Sequence, residues 1–126
     1  MGVTTTAVRR LFYDARCGPC SFFARMTAGL SRAPLAVYPL DSPEADRALG
    51  SLPTEARYGS FHILEPGRVW TGPDAMPAWA GIIGGDRARR VAERARPVNR
   101  LLRRGYALVW EYRRARGCAA DRLAPG

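Results

Sequence analysis

The chain has 126 residues, 47% of them hydrophobic, and its 20 basic residues outnumber its 11 acidic residues, giving a formal net charge of +9. This length indicates one domain, residues 1–126, rather than two of typical size. No apolar run approaches the roughly 18 residues of a membrane span. The N-terminus also lacks the apolar core of a secretory signal, so we expect a cytoplasmic protein without a transmembrane segment.

Hydrophobic spacing predicts alternating strands and helices in the first half of the chain. The predicted elements, in chain order, are a strand Arg9–Tyr13, a helix from Cys17 to about Ser31, a strand Leu35–Leu40 and a short helix ending at Leu49. Pro39 indicates that the second strand lies at a sheet edge or ends there, because proline cannot donate to a strand ladder. Asp41 and Glu44 have the spacing of a capping box for the short helix, and residues 51–59 are predicted to be a loop.

A β-hairpin and a helical C-terminal segment are predicted in the second half. Ser60–Glu65 and Arg68–Thr71 are predicted strands around Pro66-Gly67, which is a turn signal. Three predicted helical stretches follow: one capped by Asp74 and ending near Gly84-Gly85, one from Arg87 to Arg96, and one from Val98 to Gly117. This order predicts an α/β fold with a thioredoxin-like central sheet of about four strands flanked by helices, and an added C-terminal basic helical segment.

The positive charge is concentrated in that C-terminal segment. The predicted parts of the domain are a flexible tail 1–8, an α/β core 9–85, C-terminal helices 86–117 and a second flexible tail 118–126. From Asp86 to Arg116, eleven arginines face three acidic residues, which places +8 of the net charge there. The apolar positions at helical spacing are Val98, Leu101, Leu102, Tyr106, Val109 and Trp110. Either these residues dock on the sheet and leave a solvated arginine face, or the basic helices weakly bind an anionic partner such as lipid, nucleic acid or an acidic protein.

Cys17-Gly18-Pro19-Cys20 lies between the first predicted strand and the first predicted helix. A helix N-terminus offers unpaired N–H groups and a partial positive charge, which stabilise a thiolate. A free thiol with a pKa of about 8.5 is only about 3% ionised at pH 7, so this placement activates a cysteine. We expect Cys17, next to Arg16, to be the accessible nucleophile. Cys20, one turn into the helix, is expected to be shielded and to resolve the mixed disulfide.

Two inert thiols, or half of a zinc site, are the alternatives to a redox pair. Zinc normally has four ligands in structural sites, and only Cys118 and His62 remain as further candidates, without a second paired spacing. His62 alternates with Phe61 and Ile63, which is typical of a histidine on a strand face. Cys118 is expected to be an idle thiol. The sequence therefore favours redox chemistry and predicts neither a metal nor a cofactor.

The stretch from Asp14 to Cys20 resembles the Asp-x-x-Cys-x-x-Cys signature of the DCC family of predicted thiol-disulfide oxidoreductases. Two later stretches, Gly67–Ala75 and Gly105–Arg113, are similar to further landmarks of that family and follow in the same order. The resemblance covers about residues 9–117.

This resemblance implies a thioredoxin-like fold, protein-disulfide reductase activity and the site residues Asp14, Cys17 and Cys20. The chain departs from the family pattern at Ala15, where glycine is common, and at Tyr112, where asparagine usually precedes the C-terminal arginine. Asp14 has two interpretations. It could exchange a proton with the thiols, or it could accept backbone N–H groups in the turn between strand and helix.

The sequence thus predicts a thiol-disulfide oxidoreductase of the protein-disulfide reductase type. Its partners are a disulfide-containing protein or small-thiol substrate and a thiol electron donor that restores the dithiol. The alternative is a non-enzymatic interaction module, in which the Arg-rich C-terminal helices bind an anionic partner and the cysteines have no catalytic role.

Overall fold

The structure is a computed structural model that describes residues 8–115. The predictions for the N-terminal tail up to residue 7, and those for Gly117, Cys118 and the C-terminal tail, lie outside the described residues. Within residues 8–115 the chain forms one four-stranded mixed sheet flanked by helices, and the predicted α/β fold is confirmed at that level.

The sheet has the strand order β2-β1-β3-β4. Its strands are β1 (Arg9–Tyr13), β2 (Leu35–Pro39), β3 (His62–Glu65) and β4 (Arg68–Thr71). β1 pairs in parallel with β2 and antiparallel with β3, and β3 and β4 form the predicted antiparallel hairpin. The edge position of β2 confirms what Pro39 indicated.

Five α-helices and one short 3₁₀-helix surround the sheet. They are α1 (Gly18–Leu30), α2 (Pro43–Leu49), α3 (Thr54–Tyr58), the 3₁₀-helix Gly72–Ala75, α4 (Met76–Arg94) and α5 (Arg96–Ala115). No helix within residues 8–115 is long and apolar enough to cross a membrane.

Two predictions about the segment after β2 are wrong. The cap of α2 is Ser42 rather than Asp41, because the Ser42 hydroxyl oxygen accepts the Ala45 N–H at 3.2 Å and donates to the Pro39 carbonyl at 2.7 Å. The predicted loop 51–59 contains α3, a helix of a little more than one turn. A helix this short shows no hydrophobic periodicity from which it could have been predicted.

The helices after β4 also differ from their predicted limits. Asp74, the predicted cap, lies inside the 3₁₀-helix, whereas the helical conformation of α4 is interrupted at Gly85, where a helix end was predicted. Gly85 kinks α4, with a φ of 88° and a ψ of −177°. Glycine adopts this backbone conformation readily, whereas a side chain there would be strained. The kink divides α4 into two helical stretches, which confirms the predicted break near Gly84-Gly85.

The core has one cluster on each face of the sheet, because successive residues of β1 point to opposite sides. Leu11 faces α1, α4 and α5 and packs with Ile63, whereas Phe12 faces α2 and packs with Leu40 and Leu49. Two helical layers therefore enclose the strands, and the end of β1 delivers the chain directly to the start of α1.

The helix α5 docks on the domain with only part of its apolar surface. Leu102 and Tyr106 pack against the core cluster beneath α1 and α4, as one of the two sequence interpretations expects. Leu101 and Leu108, in contrast, are 70% and 63% exposed, and Val109 is 47% exposed. The apolar surface of α5 is therefore wider than the surface that the domain covers.

A half-buried carboxylate connects the sheet to α4. Glu65, at the end of β3, accepts two hydrogen bonds from Arg89 at 2.6 and 2.9 Å, one from Arg9 at 3.0 Å and one from the Trp70 indole at 2.8 Å. The hydrogen bonds from Arg89 outweigh burial and lower the pKa of Glu65 from its ordinary value. A lowered carboxyl pKa contributes stability above the pKa of the unfolded chain, and this contribution is lost as the pH falls through the folded pKa.

We therefore expect Glu65→Gln to lower the free energy of unfolding by about 2 kcal/mol at pH 7, because two arginines lose their charged partner. Below about pH 4 the difference from the wild type should shrink, since the wild-type carboxylate is then being protonated. Urea unfolding of both proteins, at pH 7 and below about pH 4, measures this difference. Glu55→Gln, at an exposed position of α3, is the matched control. A Glu65→Gln loss that is equally large in acid would contradict the charged network.

Candidate active site

The turn between β1 and α1 carries the predicted site residues. Asp14 follows the strand and is 2% exposed. Its carboxylate Oδ1 accepts the Arg16 N–H at 3.1 Å, and its carbonyl accepts the Cys17 N–H at 3.1 Å. These bonds close the turn and place Cys17 at the N-cap position of α1. Of the two interpretations of Asp14, acceptance of a backbone N–H is directly seen.

Arg113, near the end of α5, reaches the same turn and is 4% exposed. One of its terminal nitrogens lies 3.5 Å from Asp14 Oδ2. The guanidinium also donates to the backbone carbonyls of Gly59, at 3.2 Å, and Tyr58, at 3.4 Å. One cation thus joins α5, the start of α1 and the segment before β3. Burial of such a charge is tolerated only where it is paired and hydrogen-bonded.

The thiols of Cys17 and Cys20 are in hydrogen-bond contact with each other and do not form a disulfide with each other. Cys17 also has a hydrogen bond with the guanidinium of Arg113. The accessibility differs from the expectation: Cys17 is 0% exposed, whereas Cys20 is half-buried. Arg113, which lies far along the chain near the end of α5, is one of the groups beside Cys17.

Charge is distributed unequally over this cluster. Burial, together with the charge of Cys17 and the hydrogen bond to it, raises the pKa of Cys20 to about 12, while the positive charge of Arg113 opposes the rise. Burial would lower the pKa of Arg113, but the charges of Cys20, Cys17 and Asp14 raise it overall. At neutral pH the cluster therefore contains a protonated Cys20 beside a permanently charged guanidinium.

An apolar groove of about 290 Å³ lies between α1 and α5, with Cys20 in its wall. The side chains of Phe23 and Met26 line it from α1, and those of Leu101 and Trp110 line it from α5. Arg113 is the only charged residue among its lining. The groove gives a ligand access to Cys20, whereas Cys17 is not among the described residues that line it.

A larger cleft of about 550 Å³ beside β4 and α4 is polar but contains no thiol. Two of its arginines are paired, Arg89 with Glu65 and Arg103 with Asp74. The groove is therefore the better candidate for chemistry, although it is the smaller of the two.

The structure brings together all three predicted site residues, Asp14, Cys17 and Cys20. Sequence analysis missed Arg113, although its position was within the last stretch that resembles the DCC family. His62 is a buried strand residue, as expected, with hydrogen bonds to Thr71 and to the Arg57 carbonyl, and burial lowers its pKa. Among residues 8–115 no group of three or more His, Cys, Asp or Glu side chains could hold a metal ion.

Comparisons with protein-family models, with curated proteins and with solved structures find no match to this chain.

We expect Asp14→Asn to lower the free energy of unfolding by about 2–4 kcal/mol, since Arg113 would lose a carboxylate in a buried setting. Asparagine keeps an oxygen for the Arg16 N–H, so the turn itself should persist. Urea unfolding measures the loss, with the exposed Asp86→Asn as control. If stability is unchanged while the pH dependence of thiol exchange disappears, Asp14 transfers protons instead, and the structural role is wrong.

Proposed function

We propose that the protein is a thiol-disulfide oxidoreductase of the protein-disulfide reductase type, with Cys17 and Cys20 as its redox pair. The single observation that carries this proposal is the contact of the two thiols at a helix N-terminus beside a buried arginine. A Cys-x-x-Cys motif in a β–α–β unit supports a thioredoxin-like assignment. The parallel pair β1 and β2, joined through α1, provides that unit.

In the proposed reaction, Cys17 is the nucleophile. The N-terminus of α1 and the guanidinium of Arg113 both favour a negative charge on its sulfur. The thiolate attacks one sulfur of the substrate disulfide. A mixed disulfide forms between Cys17 and that sulfur, and the other substrate sulfur leaves as a thiolate that takes up a proton.

Cys20 then resolves the mixed disulfide. Burial, the largest cause of the raised pKa of Cys20, remains once Cys17 is in a disulfide, but the negative charge of Cys17 and its hydrogen bond no longer raise this pKa, while Arg113 still lowers it. Cys20 loses its proton to water and attacks Cys17, which releases the second substrate thiol. The substrate gains two electrons and the protein gains the Cys17–Cys20 disulfide. A thiol electron donor, either a dithiol protein or a small thiol, returns the pair to the reduced form.

The groove supports a substrate with an apolar group beside its disulfide. Because Cys17 is fully buried, a substrate sulfur reaches it only by way of the groove and after the Cys20 side chain has turned aside. While the Cys20 side chain moves, an apolar side chain of the substrate can be held by the lining residues Phe23, Leu101 and Trp110. Disulfide-containing proteins and small disulfides both fit this description.

We expect a Cys20→Ser variant to accumulate mixed disulfides with added protein or small-molecule disulfides, because its Cys17 attacks but is not resolved. The measurement is non-reducing electrophoresis or mass spectrometry in a Cys118→Ser background, which removes the third thiol. Cys17→Ser in the same background is the matched control and should trap little. If Cys17→Ser traps and Cys20→Ser does not, the more accessible cysteine is the nucleophile and the two roles are reversed.

Insulin reduction with dithiothreitol distinguishes the proposed oxidoreductase from the alternative function, an interaction module without redox activity. The proposal expects the wild type to accelerate the reduction and Cys17→Ser to lose the acceleration. Equal rates for the two proteins would favour the interaction module.

A further inference from the structure

α5 exposes a continuous apolar strip that the domain leaves uncovered. Leu101, Leu108 and Tyr112 recur at helical spacing and are exposed, and Val109 borders them on the side of the groove. The face formed by these four residues is here called the α5 strip. Isolated exposed apolar residues need no explanation, but aligned residues along three turns of one helix indicate a contact surface.

A row of arginines runs along one side of the α5 strip. Arg96, Arg100 and Arg104 occupy successive turns of α5 and are exposed. None of the three has an ion-pair partner within residues 8–115, in contrast to Arg103, which pairs with Asp74. Glu111 is the only acidic residue of α5. The helix therefore presents an apolar strip and an uncompensated cationic row side by side.

We propose that α5 binds the surface of an anionic phospholipid bilayer, with the arginine row against the headgroups and the α5 strip inserted at the headgroup–acyl boundary. A lipid surface is the one partner that supplies dense negative charge and an apolar layer along the same plane. This proposal uses neither thiol and does not rest on the redox function, although Leu101 and Val109 belong both to the α5 strip and to the lining of the groove.

Other occupants fit the observations less well. A second copy of the chain carries the same net charge of +9, so two cationic rows would repel each other. Single-stranded nucleic acid needs aromatic rings to stack its bases, and the most exposed strip residues, Leu101 and Leu108, are aliphatic. An acidic protein would satisfy the arginines but leaves the aliphatic strip unexplained.

The test is co-sedimentation of the full chain with vesicles at about 0.15 M salt. We expect binding to vesicles of phosphatidylcholine with about 30% phosphatidylserine, and little binding to pure phosphatidylcholine. Because each arginine near such a surface contributes about a factor of five, the triple variant Arg96→Gln/Arg100→Gln/Arg104→Gln should bind about 100-fold more weakly.

Two matched controls separate this surface from overall charge and hydrophobicity. The first removes three exposed arginines from other elements, Arg10→Gln/Arg25→Gln/Arg47→Gln, and should weaken binding at most about fivefold. For the strip, Leu101→Ser/Leu108→Ser should weaken binding at least about tenfold, whereas Val69→Ser/Val91→Ser, at partly exposed positions elsewhere, should not. Circular dichroism confirms that each variant is folded.

The proposal is overturned if the wild type ignores anionic vesicles, or if both arginine triples weaken binding equally. Retention on duplex DNA or polyglutamate without vesicle binding would likewise overturn it and assign the surface to that polyanion.

Discussion

The buried guanidinium of Arg113 is the interaction on which the site depends. It lies 4% exposed among Asp14, two backbone carbonyls and the thiol cluster. Taking an arginine out of water costs several kcal/mol, and this cost is offset only where negative charge and carbonyl oxygens surround the guanidinium. The same requirement holds the end of α5 over the start of α1. The cation thus fixes the architecture of the site and its electrostatics together.

In this arrangement, the thiol beside the positive charge is not the thiol that a substrate can reach from the groove. Cys17 contacts the cation but is fully covered, whereas Cys20 lines the groove but is kept protonated at neutral pH by burial and by its neighbour. In the proposed reaction, the two thiols therefore act in sequence. The substrate first enters the groove, and Cys20 becomes a thiolate only after Cys17 has reacted. Such an arrangement limits unwanted oxidation, because small oxidants find a protonated thiol rather than an exposed thiolate.

Patterns among residues close together in the sequence predicted most of the fold and part of the site. All four strands and the start of α1 follow from alternation, helical spacing and the turn signal at Pro66-Gly67, and these patterns concern neighbours in sequence. The burial of Cys17 beside Arg113 could not be predicted in this way, since the two residues lie far apart in the chain. The wider apolar face of α5 was visible as periodicity, but the sequence did not show which half of that face would remain uncovered.

The charge on Cys17 is the central claim, and the ultraviolet absorbance of the thiolate tests it most directly. The measurement uses a Cys20→Ser/Cys118→Ser background, in which Cys17 is the only thiol of the chain. We predict a thiolate band at neutral pH that is lost when Arg113→Gln is added and retained with Arg114→Gln, the neighbouring exposed arginine. Absence of the band in the background variant, or a band that is indifferent to Arg113→Gln, would contradict the account.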